Sequence, residues 1–152
     1  MPKNPTAVVS VVQCSPKLFD TDKTVSEVCR LTAESGKVGA SLVLFPEAYV
    51  GGYPWGLTFG TSVGARTEAG RSLWQHYWDC AIDIPGKHTK LMAEAAKKAG
   101  VYLVVGVVSS LLQDLIAHRT IVANVRKKII EIKQLIIINK QISRLLKRKS
   151  NI

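Results

Sequence analysis

The run Leu42-Val-Leu-Phe45, followed at once by Pro46 and Glu47 and then by Gly51-Gly52-Tyr53-Pro54, limits most strongly what this chain can fold into. Four consecutive apolar residues bounded by breakers read as a short strand buried on both faces. Proline ends it, because it has no backbone N–H to give to a sheet ladder. The glycines and the second proline then require an irregular loop. A carboxylate at the end of a buried strand, backed by a glycine-rich loop, sits where open α/β sheets place their chemistry. Burying an acid there is costly unless it is hydrogen-bonded or employed. Glu47 is therefore a candidate general base.

The rest of residues 1–108 extends this pattern. Residues 7–13 (Ala-Val-Val-Ser-Val-Val-Gln) are rich in β-branched residues and apolar on both faces, as an interior strand should be. Asp20 or Thr21 can cap a helix with Val25, Val28, Leu31 and Thr32 near helical spacing, closing at Gly36 or Gly39. Residues 51–64 read as a loop, 67–81 as a helix carrying Leu73, Trp74, Tyr77 and Trp78, and 84–86 as a turn. Residues 89–98 are strong helix formers ended by Gly100, and 101–108 form a third buried strand. Strands alternating with helices predict an α/β fold with mostly parallel neighbours. Three strands make only part of a sheet, so 1–108 reads as the opening portion of a larger α/β domain.

Composition changes abruptly after residue 108. Residues 1–108 hold eleven Lys and Arg against nine Asp and Glu, a net of +2; residues 109–152 hold ten against two, a net of +8. All eleven glycines, all six prolines and all ten aromatic residues precede the break, whereas ten of the twelve isoleucines follow it. Apolar positions 122, 125, 129, 132 and 136, and again 135, 138, 142 and 145, fit a helical stripe; a strand reading of residues 135–138 competes. A basic amphipathic helix could bind an anionic membrane or nucleic acid. The composition argues instead for a segment unrelated to the rest, as A/T-rich non-coding sequence gives when translated after a wrong exon boundary or a frameshift. Nucleic-acid or membrane binding by this tail is not expected.

Other signals are sparse. No apolar run approaches the length of a membrane span. Cys14, Cys29 and Cys80 are odd in number and widely spaced, unlike a disulfide framework or a zinc site; small buried packing residues and a reducing, cytosolic setting are the expectation. His76, His88 and His118 show no metal-binding spacing, and the glycine-rich loop lacks the Gly-Lys-Ser/Thr ending of a phosphate cradle. No metal or other cofactor is expected.

The residues around Glu47 resemble the nitrilase and cyanide hydratase branch of the carbon–nitrogen hydrolase superfamily. The likeness rests on Gly39, Leu42-Val43, Phe45, Glu47, Val50 and Gly52-Tyr53-Pro54, and extends through Trp55-Gly-Leu-Thr-Phe-Gly60, Ala81-Ile-Asp-Ile-Pro-Gly86 and Val101-Tyr-Leu-Val-Val-Gly106. The opening Val8-Val-Ser-Val-Val-Gln-Cys14 also looks like the family's first strand. This covers residues 7 to about 108. It implies an αββα sandwich and a Glu-Lys-Cys triad that hydrolyses a small nitrile to a carboxylate and ammonia. In that triad a thiolate attacks the nitrile carbon, the glutamate is general base, and the lysine stabilises developing charge. Glu47 matches the family's glutamate. Tyr53 and Trp55, and Phe59 beyond them, are candidates to wall the substrate pocket.

The lysine and cysteine neighbourhoods of that triad have no match before residue 108. Lys87 and Lys90 open a helix and read as solvated. The expectation is therefore a nitrilase-type chain truncated after its third strand and inactive alone. The alternatives are an interaction fragment that associates with itself or with full-length relatives, and a basic-helix binder.

Overall fold

The structure, a computed structural model, describes residues 6–62, 65–110, 116–123 and 129–132. Its strands and helices run β1 (Val9–Val11), α1 (Thr21–Lys37), β2 (Leu42–Leu44), β3 (Thr61–Ser62), β4 (Ala65–Arg66), α2 (Glu68–Asp79), α3 (Lys87–Ala99), β5 (Tyr102–Ser110), β6 (Ile116–Ala123) and β7 (Ile129–Ile132). Among the described residues the main sheet has five strands in the order β1-β2-β5-β6-β7. The first three are parallel; β5, β6 and β7 are antiparallel neighbours. The short β3 and β4 form a separate antiparallel pair within and just after the expected loop.

Local chemistry sets the helix ends. The Asp20 side chain caps α1 by accepting from the Lys23 N–H at 3.0 Å, and Thr67 caps α2 by accepting from the Gly70 N–H at 3.1 Å. Gly100 ends α3 in the left-handed conformation (φ 70°), which costs glycine nothing. On α1, Val25, Val28 and Thr32 lie on one face and are buried; on α3 so are Met92, Ala93 and Ala96. Both helices cover the same side of the sheet, over Val43, Phe45, Leu103, Val105, Val107, Ile121 and Ala123. Each valine, leucine, isoleucine, methionine or phenylalanine side chain among them contributes on the order of 1.5–3 kcal/mol before ordering entropy is subtracted, and each alanine less.

Two expectations are corrected. Residues 7–13 do not form an interior strand: among the described residues β1 is a sheet edge, and Val9 and Val11 are 48% and 62% exposed. The side of the sheet facing away from α1 and α3 is open at Val9, Val11, Leu44 and Tyr102, so apolarity on both faces of β1 is not matched by burial on both. The expected tail helix is also overturned where the tail is described. Residues 116–123 form β6 and pair with β5 from Leu103↔Ala123 to Ser110↔Ile116; residues 129–132 form β7. Isoleucine and valine fit a pleated surface, and the free edge of β5 offers the ladder that a helix could not use. Ile121 and Ala123 face the core while Val122 turns to the other side, a period of two rather than 3.6. Residues 125, 135–138, 142 and 145 lie outside the described residues.

Candidate functional site

Past Leu44 the chain loses regular ladder geometry at Pro46 but stays fastened to β5. Phe45 N–H donates to Val104 O at 2.9 Å, Gly106 N–H to Pro46 O at 3.2 Å, Val50 N–H to Gly106 O at 3.1 Å, and Val108 N–H to Val50 O at 2.7 Å. These four bonds hold residues 45–50 across β5 and fix the peptide that carries Glu47. Its neighbours Phe45, Ala48, Tyr49 and Val50 are all buried. Ala48 is left-handed (φ 48°), a conformation that an L residue keeps only when its surroundings enforce it.

Gly106 explains how the segment lies so close. A Cβ at that position would stand 2.5 Å from Ala48 N, 2.5 Å from Pro46 O and 2.6 Å from Glu47 Cα. The Glu47 backbone therefore rests directly on a strand that has no side chain at the point of contact.

Glu47 itself is exposed, and its carboxylate has no ion pair or side-chain hydrogen bond among the described residues. It borders a cleft of about 350 Å³ on the open side of the sheet. The other walls are Val11, Val12 and Gln13 from the end of β1, residues 44–46, Val104 and Gly106 of β5, and Thr120 of β6. The lining is mostly apolar, with Gln13, Glu47 and Thr120 as its polar side chains. A solvent-reachable carboxylate at the mouth of an apolar cleft can take a proton from a nucleophile or a water held against those walls.

Tyr53 and Trp55 lie on the loop after Glu47, 51% and 87% exposed, and neither lines the cleft. Phe59 instead meets Trp74 edge-on, with ring centroids 5.0 Å apart, and tilts against Tyr77 at 5.6 Å. With Ala81 it packs on the small cluster of Ala48, Tyr77 and Val108.

No lysine or cysteine lines the cleft among the described residues. Cys80 and half-buried Cys29 match the expectation of packing residues, and burial pushes both thiols up. Cys14 departs from it: it is exposed, and its Sγ lies 2.9 Å from the Tyr49 hydroxyl. Burial and that contact together raise the Tyr49 phenol well above its ordinary value. Lys87 lies in a larger surface hollow of about 690 Å³, away from Glu47, where Asp22 Oδ1 is 3.1 Å from Lys87 Nζ and 2.7 Å from His88 Nε2. The His88 and Lys87 contacts hold the Asp22 carboxyl below the usual carboxylate range. No cluster of His, Cys, Asp or Glu suited to a metal ion occurs among the described residues, and no helix there is long and apolar enough to cross a membrane.

Thr120 is the site residue that the sequence does not announce. It is 6% exposed, lines the Glu47 cleft, and stands opposite Gly106 in the β5–β6 register. Only the alternation of Thr120 and Val122 with Ile121 and Ala123 hints at its facing, and that alternation is informative only once the segment is known to be a strand.

The family model for carbon–nitrogen hydrolases matches residues 8–143, extending beyond residue 108 into the Ile- and Lys-rich segment. The chain is 47% identical over 104 residues to the bifunctional nitrilase/nitrile hydratase NIT4B of Nicotiana tabacum, covering 68% of this chain and 30% of that protein. It is 41% identical over 99 residues to the aliphatic nitrilase of Sinorhizobium fredii (strain HH103), covering 65% and 32%. The chain thus spans about a third of the length of these curated relatives. Among solved structures, a carbon–nitrogen hydrolase superfamily protein from Xanthomonas campestris superposes with a TM-score of 0.58 at 20% identity, covering 84% of this chain and 40% of that one. An amidase of the nitrilase superfamily from Nesterenkonia does so with 0.56 at 15%, covering 86% and 44%. These likenesses place the mixed α/β architecture with the αββα sandwich proteins. The chain belongs to the carbon–nitrogen hydrolase family, on its nitrilase branch.

Proposed function

We propose that Glu47 is the general base of a nitrile-hydrolysing site, and that this chain by itself presents the base and an apolar substrate wall without completing the reaction. The observation that carries this reading is the placement of Glu47: an exposed carboxylate on a peptide pinned to β5, at the mouth of an apolar cleft. Conversion of a nitrile and two waters to a carboxylate and ammonium needs a nucleophile for the nitrile carbon and a cation for the charge that develops. In the Glu-Lys-Cys scheme the base takes the thiol proton and later activates water, while thioimidate and thioester intermediates are held on sulfur. Glu47 supplies the first of these roles. The described walls of its cleft contain neither of the other two groups.

The test is ammonia release from phenylacetonitrile by the purified chain. No release above the buffer rate is expected. Release that disappears in Glu47→Gln would refute the inactivity and leave Glu47 as the base. Release unaffected by Glu47→Gln would remove Glu47 from the role. The reading includes a cytosolic setting, which the three free cysteines suit.

A second reading is favoured by the open side of the sheet. Val9, Val11, Leu44 and Tyr102 form an exposed apolar surface on three adjacent strands, the kind of face that a second sheet covers. We propose that the chain associates through this face with another copy of itself or with an intact relative. Sedimentation of the chain, alone and mixed with an intact nitrilase, should show a complex that Leu44→Lys dissolves; a monomer in both samples would refute it.

A further inference from the structure

We propose that the Thr120 hydroxyl is the hydrogen-bond donor that recognises the nitrogen of a nitrile held in the Glu47 cleft. The proposal rests on reading that cleft as the substrate site.

Three observations meet at Thr120. It is 94% buried, yet its hydroxyl makes no hydrogen bond to a described residue, which is uncommon for a buried polar group. The side chain lines the cleft, so the missing partner is to be found among molecules that enter it. Its strand position brings it beside Glu47: Thr120 pairs with Gly106, and the Glu47 backbone rests on Gly106. Neighbouring strands lie about 4.8 Å apart, so Thr120 on β6 stands one strand spacing from Gly106 of β5, the residue on which the Glu47 peptide rests.

The chemistry selects the ligand. An ionised Glu47 carboxylate only accepts hydrogen bonds, and a nitrile nitrogen also only accepts, so Glu47 cannot hold a nitrile by its nitrogen. A threonine hydroxyl donates. Gln13 is the other side-chain donor on the lining, but it is exposed and keeps its bonds to water. Thr120 is buried and reaches solvent only through the cleft, and β-branching restricts its χ1, so its Oγ is placed before a ligand arrives. The apolar walls from Val11, Leu44 and Val104 would take the body of the molecule.

The experiment compares two isosteric probes on the full chain, phenylacetonitrile and benzylacetylene, by NMR titration of backbone amides and threonine methyl groups. The alkyne has the shape of the nitrile without its acceptor nitrogen. Wild type should bind the nitrile about five-fold more tightly, the equivalent of one neutral hydrogen bond, with the Thr120 methyl among the shifted signals. Thr120→Val should remove that preference and leave alkyne affinity unchanged, and Thr120→Ser should keep it. Equal affinity of wild type for the two probes, no saturable nitrile binding, or a preference that survives Thr120→Val would each overturn the proposal. The wild-type comparison decides the matter even if the valine variant does not fold. Failure here leaves the assignment of Glu47 to its own ammonia-release test.

Discussion

Replacing Gly106 by alanine would introduce one methyl group where the structure has no room for it. The new Cβ would lie 2.5–2.6 Å from Ala48 N, Pro46 O and Glu47 Cα. Ordinary carbon contacts are about 3.5–4.0 Å, so relief requires the segment and β5 to separate by about 1 Å. All three clashing atoms are backbone, and no side-chain rotation moves them away. A separation of that size stretches the Gly106–Pro46 and Val50–Gly106 hydrogen bonds, now 3.2 and 3.1 Å, beyond useful length. Overpacking costs about 1–3 kcal/mol, and two weakened backbone bonds add about 1 kcal/mol each. The expected loss is about 3–5 kcal/mol, a large part of the ~5–15 kcal/mol that holds a typical domain. At a urea slope near 2 kcal/mol/M this lowers the unfolding midpoint by about 2 M, read by far-UV circular dichroism. Gly39→Ala is the control: nothing lies within 4 Å of its Cβ, and only its left-handed backbone (φ 83°) resists, at about 1–2 kcal/mol. A Gly106→Ala midpoint shift no larger than that of Gly39→Ala would refute the claim that residues 46–48 are fixed against β5.

Two further outcomes are expected. Asp22 is held below its ordinary carboxylate pKa by His88 first and Lys87 second, so its contribution is present above the unfolded value of about 3.9 and is lost as pH falls through the folded one. Asp22→Asn should therefore lower the urea midpoint at pH 5, and the gap from wild type should close between pH 4 and 2; a gap that stays constant with pH would contradict the assignment. Thr67→Ala removes the acceptor for the Gly70 N–H at the start of α2 and should destabilise the chain by about 1 kcal/mol, with Thr67→Ser restoring most of it in the same urea assay.

The helices were legible because their ends are written locally. Asp20, Thr67 and Gly100 act within one turn of where they stand, and the 3.6-residue spacing of Val25, Val28 and Thr32 needs no knowledge of the partner. Glu47 was legible for a similar reason: Pro46 and the glycines of residues 51–52 mark a strand end without reference to anything distant. The position of β1 was not, because apolarity on both faces records what a strand can bury, whereas its place in the sheet depends on which other strands lie beside it. The tail pattern is ambiguous because positions 122, 129 and 132 suit a helix as well as the two strands; the free edge of β5, eight paired positions long, decides between them.

That edge also changes what the compositional break means for the site. β5 runs from Tyr102 to Ser110, straight through the point where glycine, proline and aromatics cease, and β6 pairs along most of it. Ile121 and Ala123 enter the same core as Val43 and Leu103, so the sheet has no seam at residue 108. On the opposite side of β6, Thr120 reaches the cleft that Glu47 borders. Two residues 73 positions apart, one in each compositional regime, line one cleft on either side of Gly106, a strand position with no side chain between them. The cleft that the strand-end motif borders is therefore walled in part by a segment whose composition alone argues for leaving it out.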